Sequence, residues 1–155
     1  MVKPEIKFAR AQPDDSGVLT TIAFAAKRHW GYPESWIRQW SKELSVTAGY
    51  ITKYPTYAAI IGEKLVGFYA LKFKPREAWL DHLWVLPNEM GHGVGRELFN
   101  HAEKTARKCG ALRLKIIGDP HAEGFFEEMG ATVYRKEPAP MDGKERFLPL
   151  LSKVL

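Results

Sequence analysis

The stretch from Val85 to Arg96 constrains this chain more than any other. An apolar run, Ala78–Val85, stops at Pro87 and Asn88, and three glycines at alternate positions, Gly91, Gly93 and Gly95, then lead directly into a long amphipathic segment. Glycines so spaced let the backbone adopt positive φ and come close to a ligand. The helix that follows offers unpaired N–H groups and the positive end of its dipole. Strand, glycine turn and helix N-terminus together make a cradle for a pyrophosphate. A tight turn with no ligand is the plainer alternative, but a simple turn rarely needs three alternate glycines. Two common phosphate motifs do not fit. A P-loop requires Lys and then Ser or Thr after its last glycine, and Arg96 follows Gly95 here. A dinucleotide fingerprint would need its third glycine at Arg96.

The remaining chain reads as alternating elements. Ile6–Ala11 alternates like a short strand. Pro13-Asp14-Asp15-Ser16 starts a helix carrying Val18, Leu19, Ile22, Ala25 and Ala26, which ends near Trp30-Gly31. Pro33 opens a second helix, with Trp36, Ile37 and Trp40, fading around Leu44. Tyr57–Ile61 and Lys64–Phe73 form a hairpin about Gly62-Glu63. After the glycine turn a long helix reaches Cys109, with Val94, Leu98, Ala102, Ala106 and Cys109 as its buried stripe and Gly110 as its C-cap. Leu112–Ile117, a short helix Ala122–Met129, Ala131–Tyr134 and Phe147–Leu151 complete the order β-α-α-β-β-β-α-β-α-β-β. Hairpin-linked strands followed by βαβ units predict an α/β fold, a mixed sheet with helices on both faces.

Composition narrows the class. The 155 residues fit a single domain spanning 1–155, and 45% hydrophobic with 26% charged residues argues against disorder. A net charge of +5 suits solubility, or attraction for a polyanionic ligand such as a nucleotide. The single cysteine excludes an internal disulfide and fits a reducing compartment. No run approaches a membrane span, and the amino terminus lacks a signal-peptide core, so the expectation is a soluble cytoplasmic protein without a membrane partner. Charges are scattered and no nucleic-acid motif is present, so no nucleic-acid partner is expected. The five histidines show no metal spacing, and no metal is expected.

Leu83-Trp84-Val85-Leu86-Pro87 followed by Met90-Gly91-His92-Gly93-Val94-Gly95-Arg96 resembles motif A of the GCN5-related N-acetyltransferases, the GNAT superfamily. Gly124-Phe125-Phe126-Glu127-Glu128-Met129-Gly130-Ala131 resembles its motif B. Asp119-Pro120-His121-Ala122 and Arg146-Phe147-Leu148-Pro149-Leu150 are similar to a small bacterial branch. The resemblance covers Ile6 to Leu150. It implies a three-layer αβα fold with a mixed, V-splayed sheet of about six or seven strands, and acyl-CoA, such as acetyl-CoA, between the fourth and fifth. Backbone groups near Leu83 and Val85 would bind the pantetheine arm, and the Val85 N–H would polarise the thioester carbonyl. The turn of Met90, Gly91, His92, Gly93, Val94, Gly95 and Arg96 would hold the pyrophosphate, mainly through backbone amides. The implied activity is transfer of an acetyl or short acyl group to a primary amine by direct attack in a ternary complex.

Three positions depart from the family pattern. Met90 stands where Arg or Gln is usual. Phe126 stands where a Tyr commonly protonates the departing thiolate, so Tyr134 or a water would have to substitute. His121 stands where many relatives have an Asn contacting the pantetheine arm. The alternative is therefore a catalytically reduced acyl-CoA-binding sensor or interaction module. Asp81 and His82, on opposite faces of one strand, are both candidates for the base that activates the amine. Asp81 shares a side with Leu83 and Val85; His82 titrates in the useful range, and a hydrogen-bonded core histidine is its plainer reading. The resemblance places the acceptor pocket at the loop from Lys27 to Pro33, where His29, Trp30 and Tyr32 suggest an apolar or acidic acceptor, small molecule or peptide. Trp36 and Trp40 read as core. Cys109 reads as structural. Exposed final strands leave a homodimer open.

Overall fold

The computed structural model describes residues 5–155. In chain order the elements are β1 (Ile6–Arg10), α1 (Ser16–Arg28), α2 (Glu34–Gln39), α3 (Ser41–Leu44), α4 (Ala48–Lys53), β2 (Thr56–Ile61), β3 (Lys64–Lys74), β4 (Glu77–Val85), α5 (Val94–Lys108), β5 (Arg113–Ile117), α6 (Glu123–Glu128), β6 (Thr132–Pro138) and β7 (Phe147–Val154). The strands form one seven-stranded mixed sheet in the order β1-β2-β3-β4-β5-β7-β6. Its parallel pair is β4 with β5, while β1–β2, β2–β3, β5–β7 and β6–β7 are antiparallel. The chain packs as two compact units.

The first unit comprises residues up to Ala70 together with His82–Asn100. A 3-10 turn at Pro13–Asp15, closed by the Asp15 carboxylate accepting from the Gln12 N–H at 2.8 Å, launches α1. The buried face of α1 is Leu19, Ile22, Ala23, Ala26 and Lys27, spaced for one helical stripe. Val18, expected on that stripe, is exposed. Against it pack Ile37, Leu44, Val46, Ile51 and Phe68. The helix expected from Pro33 to Leu44 is broken at Trp40 into α2 and α3. The sequence reading also passed over α4, whose N-cap is Thr47, with its hydroxyl accepting from Tyr50 N–H.

The two faces of β3 are used differently. Phe68 belongs to the core beneath α1, whereas its neighbour Gly67 faces α5. A Cβ on Gly67 would lie 2.8 Å from the Trp84 carbonyl oxygen and 3.0 Å from Leu98 Cδ1, so only glycine admits the helix this closely.

The second unit comprises Leu71–Asp81 and His101–Leu155. Here β4 pairs with β5 from Glu77↔Arg113 to Leu80↔Ile116. Leu114, Ile116, Leu150, Leu151, Ala102 and Ala106 are buried. Glu103, buried on the same helix, receives Lys153 Nζ at 2.7 Å and Arg107 at 3.1 Å. Cys109 is exposed rather than part of the buried stripe, because α5 ends at Lys108 and the chain turns at Gly110, with φ of 85°. Gly130, at φ 94°, follows α6 in the same way. β6 and β7 extend beyond the expected Tyr134 and Leu151, and a bulge between Val133 and Arg135 sets Tyr134 apart from the ladder.

Candidate functional site

The centre of the first unit's site is the turn after β4. A 3-10 turn, Pro87–Glu89, leads to Gly91 and Gly93, with φ of 82° and 84°, a region that side-chain-bearing residues rarely enter. The Gly93 carbonyl accepts from the Glu97 N–H at 3.0 Å, which makes Gly93 the N-cap of α5. The amides of Val94, Gly95 and Arg96 therefore lie in the first turn of the helix, where the helix itself supplies no acceptor. Concave N–H groups at the positive end of a long helix suit a diphosphate. A Cβ on Gly91 would meet no atom within 4 Å, so this glycine answers to backbone conformation and not to crowding. Met90 is half-buried, and His92 stands 3.8 Å from the Glu89 carboxylate, with its ring largely exposed.

The strand feeding this turn aims its amides usefully. Leu86 N–H donates to the Val66 carbonyl of β3 at 2.8 Å. Amides alternate direction along a strand, so those of Val85 and Leu83 point away from β3 and Leu86. Both residues named from the resemblance thus present the same strand edge.

Side chains on β4 give the two base candidates different characters. His82 is 6% exposed. Its Nδ1 accepts the Trp84 indole N–H at 2.8 Å, and its ring lies against Tyr50 and Phe68 at 5.4 and 5.6 Å. Accepting at Nδ1 places the ring proton on Nε2, so the lone pair a base would use is already engaged. Asp81, in the second unit, is partly exposed, with its carboxylate 3.6 Å from Lys72 Nζ.

The α1–α2 connection is also in the first unit. Arg28 grips Glu34 through Nε and Nη2 at 3.0 and 2.8 Å, and this hydrogen bonding holds the Glu34 carboxyl below its usual range. His29 and Trp30 remain on the surface, edge to face at 5.2 Å. Tyr32 instead turns inward, edge-on to Trp40 at 5.0 Å, with Trp36 5.9 Å away. Lys27 Nζ sits among the rings of Trp40, Tyr32 and Trp84. The sequence reading put Lys27 in the loop between the first two helices; it lies instead within α1, buried eight residues after Leu19 on the helical stripe. The ring contact of Trp84 had no sign in the sequence.

Three remaining candidates lie in the second unit. Asp119 caps the 3-10 turn Pro120–Ala122 by accepting the His121 N–H at 2.8 Å, and its Oδ1 also takes His121 Nδ1 at 3.0 Å. Arg146 approaches the other oxygen of this nearly buried carboxylate at 3.8 Å. His121 is thus oriented by Asp119 through Nδ1. Phe126 is 6% exposed and edge to face with Phe125 at 5.3 Å. Tyr134 is 48% exposed, with Lys115 Nζ 4.3 Å from its ring centroid. Among the described residues no His, Cys, Asp and Glu cluster could hold a metal, and no helix is long and apolar enough to cross a membrane.

Solved structures share this architecture. A GCN5-related N-acetyltransferase from Rhodopseudomonas palustris superposes with a TM-score of 0.79 at 24% identity, covering 100% of this chain and 98% of its own. PaiA N-acetyltransferase from Thermoplasma acidophilum, solved in complex with coenzyme A, gives 0.79 at 21% identity, with 97% and 99% covered. YncA from Salmonella typhimurium, solved with its cofactor acetyl-CoA, gives 0.72 at 18% identity, with 97% and 94% covered. The fold is therefore that of the N-acetyltransferases. The sequence pattern of the Acetyltransferase (GNAT) family matches residues 20–131, and the chain belongs to that family. No curated protein matches it.

Proposed function

We propose that the chain transfers an acetyl or short acyl group from acyl-CoA to a primary amine, by direct attack with both substrates bound. The observation that carries this reading is the turn at Gly91 and Gly93, both at positive φ, feeding the N-terminus of a fifteen-residue helix at the end of β4. Membership of the GNAT family supports it, as does the coenzyme A or acetyl-CoA bound in the related folds above.

Acyl-CoA would supply an activated thioester and a thiol leaving group. Amides of Gly91, Gly93, Gly95 and Arg96 would hold its pyrophosphate, and the side chain of Arg96, exposed on α5, would add positive charge. The Leu83 and Val85 amides would order the arm that carries the acyl group, with the Val85 N–H meeting the oxygen on which charge develops. Of the two base candidates, His82 has its acceptor nitrogen committed to Trp84, which favours Asp81 acting through water. A second reading, an acyl-CoA sensor with little turnover, draws on Phe126, a buried ring that offers no proton.

Initial rates of CoA release, measured with acetyl-CoA and a varied amine panel, test the proposal. Intersecting reciprocal plots are expected. Parallel plots would replace direct attack by a covalent acyl-enzyme, and tight CoA binding without transfer to any amine would favour the sensor.

A further inference from the structure

His92 stands between the two glycines of the turn that take positive φ, Gly91 at 82° and Gly93 at 84°. Neighbours of opposite hand turn successive backbone N–H groups towards one point, so His92 lies at the centre of the proposed diphosphate cradle. Its side chain is 58% exposed, so the imidazole is open to protons and ligands alike. The charged group facing it is Glu89, of the preceding 3-10 turn, whose carboxylate lies 3.8 Å from Nδ1. Arg96 and Glu97, in the first turn of α5, are the other charged residues of this segment. All of them belong to the first unit.

A diphosphate diester keeps its negative charges throughout the pH range of folded proteins. Backbone amides answer them with partial charges only, and Met90 adds none. Full positive charge on the turn comes from Arg96, and from His92 while its ring is protonated. Histidine changes charge between about pH 5 and 8. An anion beside the ring favours the imidazolium, and the imidazolium favours the anion by the same factor, because the two equilibria share one coupling. Glu89 competes with the ligand for that charge, so the coupling is partial.

We infer that His92 is the titratable binding residue of this site. It takes up a proton as the diphosphate of acyl-CoA binds, so the ligand is held more tightly below neutral pH than above it. The inference rests on the acyl-transfer reading above. Its sign is definite: the attraction is full at the acid end, and is lost as rising pH leaves the ring neutral. Solvent and salt screen an exposed ring, so the gain is roughly three- to tenfold in affinity. His92→Lys fixes the charge, and His92→Gln removes it.

The test measures binding of 3′-dephospho-CoA by titration calorimetry from about pH 5.5 to about pH 8, in buffers of different ionisation enthalpy. This ligand keeps the diphosphate but lacks the phosphate monoester of CoA, whose own ionisation near pH ~6 would mask the effect. The parent's dissociation constant is expected to rise roughly three- to tenfold across that range, with a fraction of a proton taken up near neutrality. His92→Gln is expected to bind at every pH as the parent does at the alkaline end. His92→Lys is expected to bind throughout as the parent does at the acid end. The parent's pH dependence persisting in His92→Gln would overturn the inference, as would binding to the parent without proton uptake. Binding of CoA but not of its dephospho form would overturn it too, by placing the recognised charge on the monoester. The parent measurements stand even if a variant fails to fold. No binding of CoA, acetyl-CoA or dephospho-CoA at any pH would instead remove the acyl-transfer reading beneath the inference.

Discussion

The indole N–H of Trp84 and Nδ1 of His82, two residues apart on β4, are joined by a 2.8 Å hydrogen bond. Side chains two apart share one face of a strand, and here the His82 ring is buried against Tyr50 and Phe68. The bond fixes the imidazole tautomer and couples the strand to the helices above it. Trp84→Phe removes the donor and leaves a buried acceptor unsatisfied. A loss of about 1–3 kcal/mol is expected in urea unfolding, with part regained in the Trp84→Phe, His82→Phe double variant. Unfolding midpoints equal to the parent's would contradict the pairing.

Gly67 carries a different constraint. Its missing Cβ leaves room for the Trp84 carbonyl, which cannot retreat without moving β4, and for the end of the Leu98 side chain. Gly67→Ala is expected to cost about 1–3 kcal/mol by overpacking. It should also weaken acetyl-CoA binding if the start of α5 forms the proposed cradle. A variant as stable as the parent would show that the helix has slack.

His101, on α5, gives stability a pH dependence of definite sign. Partial burial, then the nearby Lys104 and Lys108, hold its pKa below the ordinary 6.5. The unfolded chain therefore binds a proton in a window below pH 6.5 where the folded protein still resists it. Stability from this group is full above that window and falls as pH drops through it. His101→Gln is expected to flatten this part of the curve, which unfolding across mildly acidic buffers would reveal. An unchanged slope would contradict the assignment.

Phe126→Tyr puts a phenol where the resemblance to motif B implies a proton donor. If thiolate departure limits the parent, kcat rises by about tenfold or more. Steady-state kinetics decide this, and an unchanged, already rapid turnover would remove the case for a reduced enzyme.

Local punctuation made much of the fold readable. Gly62, Gly110 and Gly130 take the positive φ expected of turn and helix-end glycines, and the hairpin and central helix follow from them. The seven-stranded mixed sheet and GNAT membership agree with the resemblance seen in motifs A and B. What escaped was set by tertiary packing. α4 is a six-residue helix with too few turns to show a period, and at the break between α2 and α3 the Trp40 ring lies against Tyr32 and Trp36, a contact no spacing signals. Cys109 continued the apolar stripe on paper, but the helix ended one residue earlier. In the site, spacing separated Asp81 from His82 by face but gave no sign that Trp84 occupies the His82 lone pair. Lys27 shows the reverse. Its spacing after Leu19 suits burial while its charge suits the surface, and in the structure the rings of Trp40, Tyr32 and Trp84 stand around its Nζ.

Thermal unfolding with acetyl-CoA, CoA and NAD added separately tests the central claim most directly. At a hundredfold excess over its dissociation constant, a CoA ligand contributes ~2.7 kcal/mol, a rise of about 5–10 °C for a chain of this size. Gly93→Glu should abolish the rise. Gly143→Glu, which strains a glycine at φ 74° in another turn, should keep it. A rise with acetyl-CoA and CoA but not NAD, lost only in the Gly93 variant, is the expected result. No rise with either CoA species, or an undiminished one in Gly93→Glu, would contradict the assignment of the glycine turn as the CoA site.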